Sequence, residues 1–237
     1  MSIITKKFLV VAMARTGSNA LISALRQHPH CYTDFELFHG KHIPGPLAEK
    51  FSLSERDADP YAFLGEAVAE AIRRKPETQS YGFKIFFTHN DELLAKLIVD
   101  PAWPVVLMRR ENTLDQFLSL RIAVDTNVWN SNDGTAKAKI EFKEKEFLFF
   151  KNRVDGFYEN CEQQLKAAGQ PFHRVSYADI TAGNYGPLCD FLGLAEPHDL
   201  VPKLYKQNPT GTADKVENPD EARAVLERLG MAHFWVD

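Results

Sequence analysis

A layered α/β fold with a mostly parallel central sheet flanked by helices is what this sequence predicts, on three observations. Short, wholly apolar runs such as Phe8–Ala12 and Pro104–Met108 read as strands buried on both faces. Helical periodicities alternate with these runs along the chain, the pattern of βαβ units in three layers. The size fits as well: 237 residues, 44% hydrophobic and 25% charged, suffice for one domain over residues 1–237 with a true core.

Taken in order, Phe8–Ala12 is the first strand. Ala20–Gln27 follows as a helix, with Leu21, Ile22 and Leu25 on one stripe and Ser18 or Thr16 placed to cap it. Residues 29–59 show little periodicity and are expected to form a long loop with short helical pieces; such loops are usually functional or mobile. Tyr61–Lys75 has the spacing of a helix (Phe63, Leu64, Ala67, Val68, Ala71, Ile72). Tyr81–Phe87 is the second strand and Pro104–Met108 the third. Thr113–Val124 is a helix, and Asp125–Thr135 is polar and irregular. Glu141–Ala168 is a long helix with Phe147, Phe150, Val154, Phe157, Cys161 and Leu165 on its stripe, ended by Gly169 and Pro171. Phe172–Ser176 is the fourth strand and Gly186–Leu192 a short helix. A Pro/Asn/Gly-rich loop and a helix near Pro219–Leu229 complete the chain.

Composition excludes several functions. A net charge of -4 gives no overall attraction to nucleic acid or an anionic membrane, so any bound anion needs a local cluster of donors. Cys31, Cys161 and Cys189 are scattered and odd in number, which argues against a disulfide framework or a zinc site and for reduced thiols in the cytoplasm. Lys6-Lys7 ahead of an apolar run ending in Ala12-Met13-Ala14 imitates a secretory leader. The run is at the short limit for one, Arg15 follows at once, and a buried strand explains it better. No run approaches the ~18–20 apolar residues that span a bilayer.

Two places carry chemistry. After the first strand, Ala14-Arg15-Thr16-Gly17-Ser18-Asn19 leads into a helix. A strand, a tight Gly turn and a helix start point backbone N–H groups at an anion, and the helix dipole assists. Arg15 adds a full charge, and Thr16, Ser18 and Asn19 add side-chain donors. There is no G-x-x-x-x-G-K-[ST], so the loop suits a single phosphate rather than a metal-bound triphosphate. A capped turn with a solvated arginine explains so short a motif equally well. The second place is Arg109-Arg110 at the end of the third strand, with Ser119 about two helical turns on. Ligands of parallel α/β sheets sit outside the carboxyl ends of the strands, so Arg15 and the arginine pair fall on one edge, spaced for a ligand with two phosphates. Taken alone, a surface arginine pair bonded to Glu111 or Asp115 is the simpler reading.

Together these stretches resemble the sulfotransferases that use 3′-phosphoadenosine 5′-phosphosulfate (PAPS). Phe8 through Asn19 is similar to their 5′-phosphosulfate loop, and Val105 through Arg110, continuing to Ser119, to their 3′-phosphate motif. Val175-Ser176-Tyr177-Ala178-Asp179-Ile180 with Leu188-Cys189-Asp190-Phe191-Leu192-Gly193-Leu194 is similar to their tyrosine–acid–aliphatic motif and its F-L-G helix. The three come in the family's order over about residues 7 to 195. Arginine in place of lysine at position 15, and Phe35-Glu36-Leu37-Phe38, resemble the bacterial and carbohydrate branch. The Arg110-to-Ser119 spacing is one longer than the family's, which leaves both Arg109 and Arg110 as the 3′-phosphate arginine.

The resemblance implies a P-loop-like fold and in-line sulfuryl transfer that requires no metal, PAPS giving 3′-phosphoadenosine 5′-phosphate (PAP). Arg15 would face the bridging oxygen, amides of Thr16, Gly17, Ser18 and Asn19 the 5′-phosphate, and Arg109 or Arg110 with Ser119 the 3′-phosphate. Tyr177 borders the nucleotide and, with Asp179, supports the sheet edge. Lys206, with Gln207 and Asn208, would close over the nucleotide. Glu36 is the first candidate for the acceptor's base, its pKa raised by burial; as a loop carboxylate it would instead pair with Lys41 or His39. His89 is the second candidate base, against the plainer reading of a turn residue. The acceptor is expected to be a small molecule or glycan, a carbohydrate or glycan-bearing lipid, recognised by residues 29–59 and 125–140, and the Phe-rich long helix can serve a homodimer. Two alternatives stand beside this: a P-loop kinase-like phosphotransferase, which lacks its Walker lysine here, and a non-catalytic nucleotide-binding protein, which would need no base.

Overall fold

The structure is a computed structural model, and it describes residues 4–129, 138–195, 200–201 and 211–237. Five strands form one sheet: β1 (Lys6–Ala12), β2 (Cys31–Glu36), β3 (Ser80–Phe86), β4 (Val105–Arg109) and β5 (Phe172–Ser176), in the order β2-β3-β1-β4-β5. All four pairings are parallel, so the sheet is wholly rather than mostly parallel. Helices follow the strands: α1 (Ser18–Leu25), α2 (Leu53–Ala58), α3 (Pro60–Arg74), α4 (Asp91–Leu97), α5 (Thr113–Thr126), α6 (Glu144–Ala167), α7 (Tyr177–Ala182), α8 (Gly186–Leu192) and α9 (Pro219–Arg228).

Alternation along the strands divides the core. Leu9 and Val11 of β1 join Phe83, Ile85, Leu107 and the inner faces of α3, α4 and α6 on one side. Phe8, Val10 and Ala12 join Val106, Met108, α1 and α8 on the other. Both faces of the sheet are therefore covered, which is why β1 and β4 read as unbroken apolar runs. At Gly82 the Phe8 ring lies where a side chain would start, so only glycine fits there. A third cluster, from α5, the start of α6, α9 and Phe234, extends the core beyond the sheet.

The expected elements are present with small shifts at their ends, and three that were not expected appear. The stretch 29–59 is not all loop: Cys31–Glu36 is an edge strand, followed by a 3₁₀ turn at Gly45–Glu49 and by α2 with its Ser52–Glu55 capping box. Its polar residues Tyr32, Asp34 and Glu36, natural on an edge strand, hide the pattern. The short helices α4 and α7 were also not foreseen; Asn90 and Ser176 cap them. Neither Ser18 nor Thr16 caps α1. Gly17 takes the cap position in the left-handed conformation (φ 88°), and the Thr16 hydroxyl turns inward to donate to the Met13 carbonyl at 3.0 Å. On α6 the buried stripe passes through Tyr158 rather than Phe157. The Tyr158 hydroxyl donates to the Met108 carbonyl at 2.5 Å and accepts from the Met13 amide at 3.3 Å, tying the ends of β1 and β4 together. All three cysteines are buried free thiols, pushed up by burial to about 12 for Cys31 and Cys161 and about 11 for Cys189. Lys206, Gln207 and Asn208 lie outside the described residues, as do residues 130–137.

Candidate active site

Strand order reverses at β1, between β3 on one side and β4 on the other. In open parallel sheets the crevice at such a point is where ligands bind. The loop after β1 fills it with an unusual backbone: Arg15 is left-handed (φ 66°) although it is not glycine, and Gly17 follows at φ 88°. Left-handed conformations at non-glycine residues cost about 1–3 kcal/mol and gather at functional sites. A Cβ on Gly17 would stand 2.6 Å from the Tyr177 ring, so the loop packs directly against that tyrosine.

The arginines divide the work. Arg109 and Arg110 are successive residues and point apart. Arg109 turns to α6, where it pairs with Asp155 at 2.5 Å and lies over the Tyr158 ring. Arg110, only 7% exposed, turns into the crevice. Its guanidinium lies 4.4 Å from the centre of the Tyr177 ring and donates to the Arg15 carbonyl at 3.2 Å. It also pairs with Asp115, which Lys215 grips from the other side. Arg15 in turn donates to Ser119 Oγ at 2.9 Å and to the Trp129 carbonyl at 2.7 Å. Arg15, Arg110, Ser119 and Tyr177 thus meet in one place, as the sequence suggested, and Arg109 stands outside it.

Among the described residues, Arg110 and Lys215 pair with Asp115, and Arg15 lies against Arg110. Burial and the neighbouring Arg110 charge pull Arg15 down to about 10. Arg110 Nε and Gln116 Oε1 are buried polar atoms without a hydrogen-bond partner. A buried crevice lined by guanidinium and ammonium donors has the chemistry to hold a phosphate-sized anion. The expected arginine–Asp115 pairing is present, though with Arg110 buried rather than at the surface; Lys215, Gln116 and Trp129 were not foreseen here, and no local signal in the sequence marks Lys215.

A second cluster lies beside the first, at the carboxyl ends of β2 and β3. The register shifts between Asp34 and Glu36, so Phe35 bulges out and Glu36 sits opposite Lys84. Bulges re-aim side chains, and without this one Glu36 would face the other side of the sheet. Lys84 is fully buried, pairs with Glu36 at 2.7 Å and also donates to Asn19 Oδ1. His89 Nε2 approaches Glu36 at 3.5 Å, and His89 Nδ1 accepts from the Phe86 amide at 3.2 Å. The ring proton therefore belongs on Nε2, directed at Glu36. Burial pushes His89 down to about 4 against the pull of Glu36.

Glu36 departs from its expected titration. Burial raises its pKa, but the Lys84 charge and hydrogen bond, with His89 and His39, outweigh that and hold it below the ordinary value. Its partners are Lys84 and His89, not Lys41. Of the expected donors, Asn19 presents its amide oxygen to Lys84, and Thr16 is turned away. Asp179 and Ser176 form the capping box of α7, which fixes Tyr177 at its first turn. Among the described residues no helix is long and apolar enough to cross a membrane, and no three His, Cys, Asp or Glu side chains are grouped to hold a metal ion.

Comparison with known proteins adds three findings. The chain is 30% identical over 178 residues to a Nodulation protein H from Rhizobium meliloti strain 1021, covering 72% of this chain and 64% of the relative. It is 28% identical over 132 residues to a second Nodulation protein H from Rhizobium meliloti, spanning half of that relative's length. Among solved structures it shares the fold of a sulfotransferase from Alicyclobacillus acidocaldarius, with a TM-score of 0.52 over 98% of this chain and 97% of that one, at 18% identity. No protein-family model matches the chain. The sulfotransferase resemblance drawn from the three motifs thus meets a sulfotransferase fold.

Proposed function

We propose that this chain is a sulfotransferase, with residues 1–237 as one domain, that moves the sulfuryl group of PAPS to a hydroxyl or amine of a small-molecule or glycan acceptor. The observation that carries the reading is the gathering of Arg15, Arg110, Lys215 and Ser119 at the switch point, with the Glu36 carboxylate on β2 held beside it through Lys84 of β3.

Bound there, PAPS would supply a sulfuryl group on a phosphate leaving group. Backbone amides from Thr16 to Asn19 would hold the 5′-phosphate, and Arg110 with Ser119 the 3′-phosphate; the pairing of Arg109 with Asp155 of α6 and the position of Arg110 over Tyr177 support Arg110 for this role. Arg15 balances the negative charge that gathers on the leaving phosphate oxygen as its bond to sulfur breaks and the acceptor oxygen's bond to sulfur forms. Glu36 takes the acceptor's proton. Its lowered pKa keeps it ionised at neutral pH, and His89, with its Nδ1 already accepting a hydrogen bond, orients it rather than acting as the base. Tyr177 walls the nucleotide site.

The acceptor reads best as a carbohydrate or glycan-bearing lipid. His39, near Glu36, with the His42 ring 4.2 Å from it, and the exposed Trp129, whose carbonyl accepts from Arg15, offer ring surfaces to a sugar face. A homodimer through α6, where Phe149 stands exposed, and a cytoplasmic setting belong to the same reading. The test is transfer of labelled sulfate from PAPS to a panel of oligosaccharides and glycolipids in the absence of metal. Stoichiometric PAP release and acceptor labelling, both lost in Glu36→Gln, are the expected result. Magnesium-dependent phosphate transfer from ATP instead would overturn the reading.

A further inference from the structure

A lysine in the interior of a parallel strand has no place in the packing. Lys84 sits between Phe83 and Ile85 in β3 with no exposed surface. Burying an ammonium ion is costly, and replacing a buried ion pair by apolar residues of similar volume is often neutral or stabilising. Stability therefore does not explain Lys84, and its contacts suggest what does. On one side it pairs with Glu36 across the β2 bulge at 2.7 Å. On the other it donates to Asn19, the second residue of α1, directly behind the anion-binding turn. The rings of Phe86 and Phe35, centred 4.6 and 5.9 Å from the ammonium nitrogen, close the remaining approaches and stabilise its charge.

Resting on the sulfotransferase reading, we propose that Lys84 is a positioning residue of the transfer reaction, coupling the donor loop to the acceptor's base: its buried ammonium binds Glu36 and Asn19 together, and an anion arriving in the loop draws that charge away from Glu36.

The groups that face Glu36 are few. Lys84 comes from β3, His89 from the turn after it and His39 from the segment after β2, with the His42 ring tilted against His39 and Arg56 donating to the His39 carbonyl; Asn19 comes from α1. In the free protein these groups hold the carboxylate below its usual proton affinity, a poor base. The donor's negative charge on the loop amides competes for the same ammonium, so Glu36 regains basicity when the donor is in place. The acceptor's proton is then abstracted in the loaded site and not in the empty one. By linkage, a donor that raises the proton affinity of Glu36 binds more tightly when Glu36 is protonated.

The experiment needs no acceptor. With glutamate labelled at its carboxyl carbon, and the Glu36 signal identified by its loss in Glu36→Gln, the midpoint of Glu36 is followed by NMR with and without saturating PAP. This is done in the unmodified protein, in Lys84→Met and in Lys84→Gln. PAP should raise the Glu36 midpoint by about one pH unit in the unmodified protein. In both variants the midpoint should already be raised without PAP, and PAP should add less than half of the original increment. Equal increments with and without the lysine would show a direct field effect and overturn the proposal, as would PAP that binds without moving Glu36; the sulfotransferase reading would survive both results. PAP that does not bind at all would remove that reading and this inference with it. Either variant alone supplies the comparison if the other fails to fold, and a Glu36 midpoint that PAP leaves unmoved in the unmodified protein overturns the proposal without them.

Discussion

Around Arg15 and Arg110, two central strands and the turns that follow them bring cationic side chains together around Asp115. Around Glu36 and Lys84, an edge strand and its neighbour bring one carboxylate and one ammonium into a closed pair. On the proposed reading, the first region is completed by the donor and the second is opened by it. Their chemistry also differs in origin. The cationic region depends on local backbone: a left-handed arginine, a left-handed glycine and a helix start within a few residues. The carboxylate region depends on a pairing between residues far apart in the chain, made possible by a single bulged residue, Phe35.

Glu36→Gln sets the two regions furthest apart. Loss of a base in place should slow transfer by about 10²–10⁴-fold, while PAP affinity measured by calorimetry does not fall and tightens by up to about tenfold, because Lys84 is released from Glu36. A parallel loss of PAP binding would merge the regions into one. Arg110→Ala and Arg15→Ala act on the other side: each should weaken PAP by about 100-fold, the usual scale for removing one partner of a buried charge pair. Arg109→Ala, at the end of β4 but turned toward Asp155 of α6, should leave PAP binding close to unchanged.

That contrast between adjacent arginines shows what the sequence could and could not disclose. The order of strands and helices, the anion loop and the arginine pair were legible because each is a short run whose pattern follows from its own backbone. Which arginine faces the crevice was not, because strand alternation points them apart only once the end of β4 is fixed. The edge strand β2 escaped notice because its outward residues are polar, as an edge demands. Lys84 left a readable trace, a charge within the apolar run from Tyr81 to Phe87, but its partner across the bulge could not be inferred from spacing. Lys215 left none, since it reaches Asp115 from a part of the chain with no motif.

Smaller effects sharpen the distinction. Gly17→Ala forces a side chain into a left-handed position and against the Tyr177 ring. It should lower stability by about 1–3 kcal/mol, read as a reduced thermal midpoint, and weaken PAP binding at the same time. A destabilised variant with full PAP affinity would separate the loop's fold from its function.

The carboxylate side should show its character in acid. His89 is held neutral in the folded protein, with a pKa of about 4 against an unfolded value of 6.5. Between these values the unfolded chain binds a proton that the folded one does not, so stability falls as pH drops from about 6.5 toward 4. Above about 6.5 the contribution vanishes. Roughly 1–2 kcal/mol should be lost across this window, seen in urea titrations at stepped pH, and His89→Gln should flatten the slope. An unchanged slope in that variant would place the titrating group elsewhere.

The central claim is the two-phosphate site, and calorimetric titration of the purified protein with PAP in metal-free buffer tests it most directly, beside Arg15→Ala and Arg110→Ala. Micromolar binding, about -8 kcal/mol, that is unaffected by magnesium and weakened in both variants is the predicted result. No binding of PAP, with ATP or GTP bound only when magnesium is added, would contradict it.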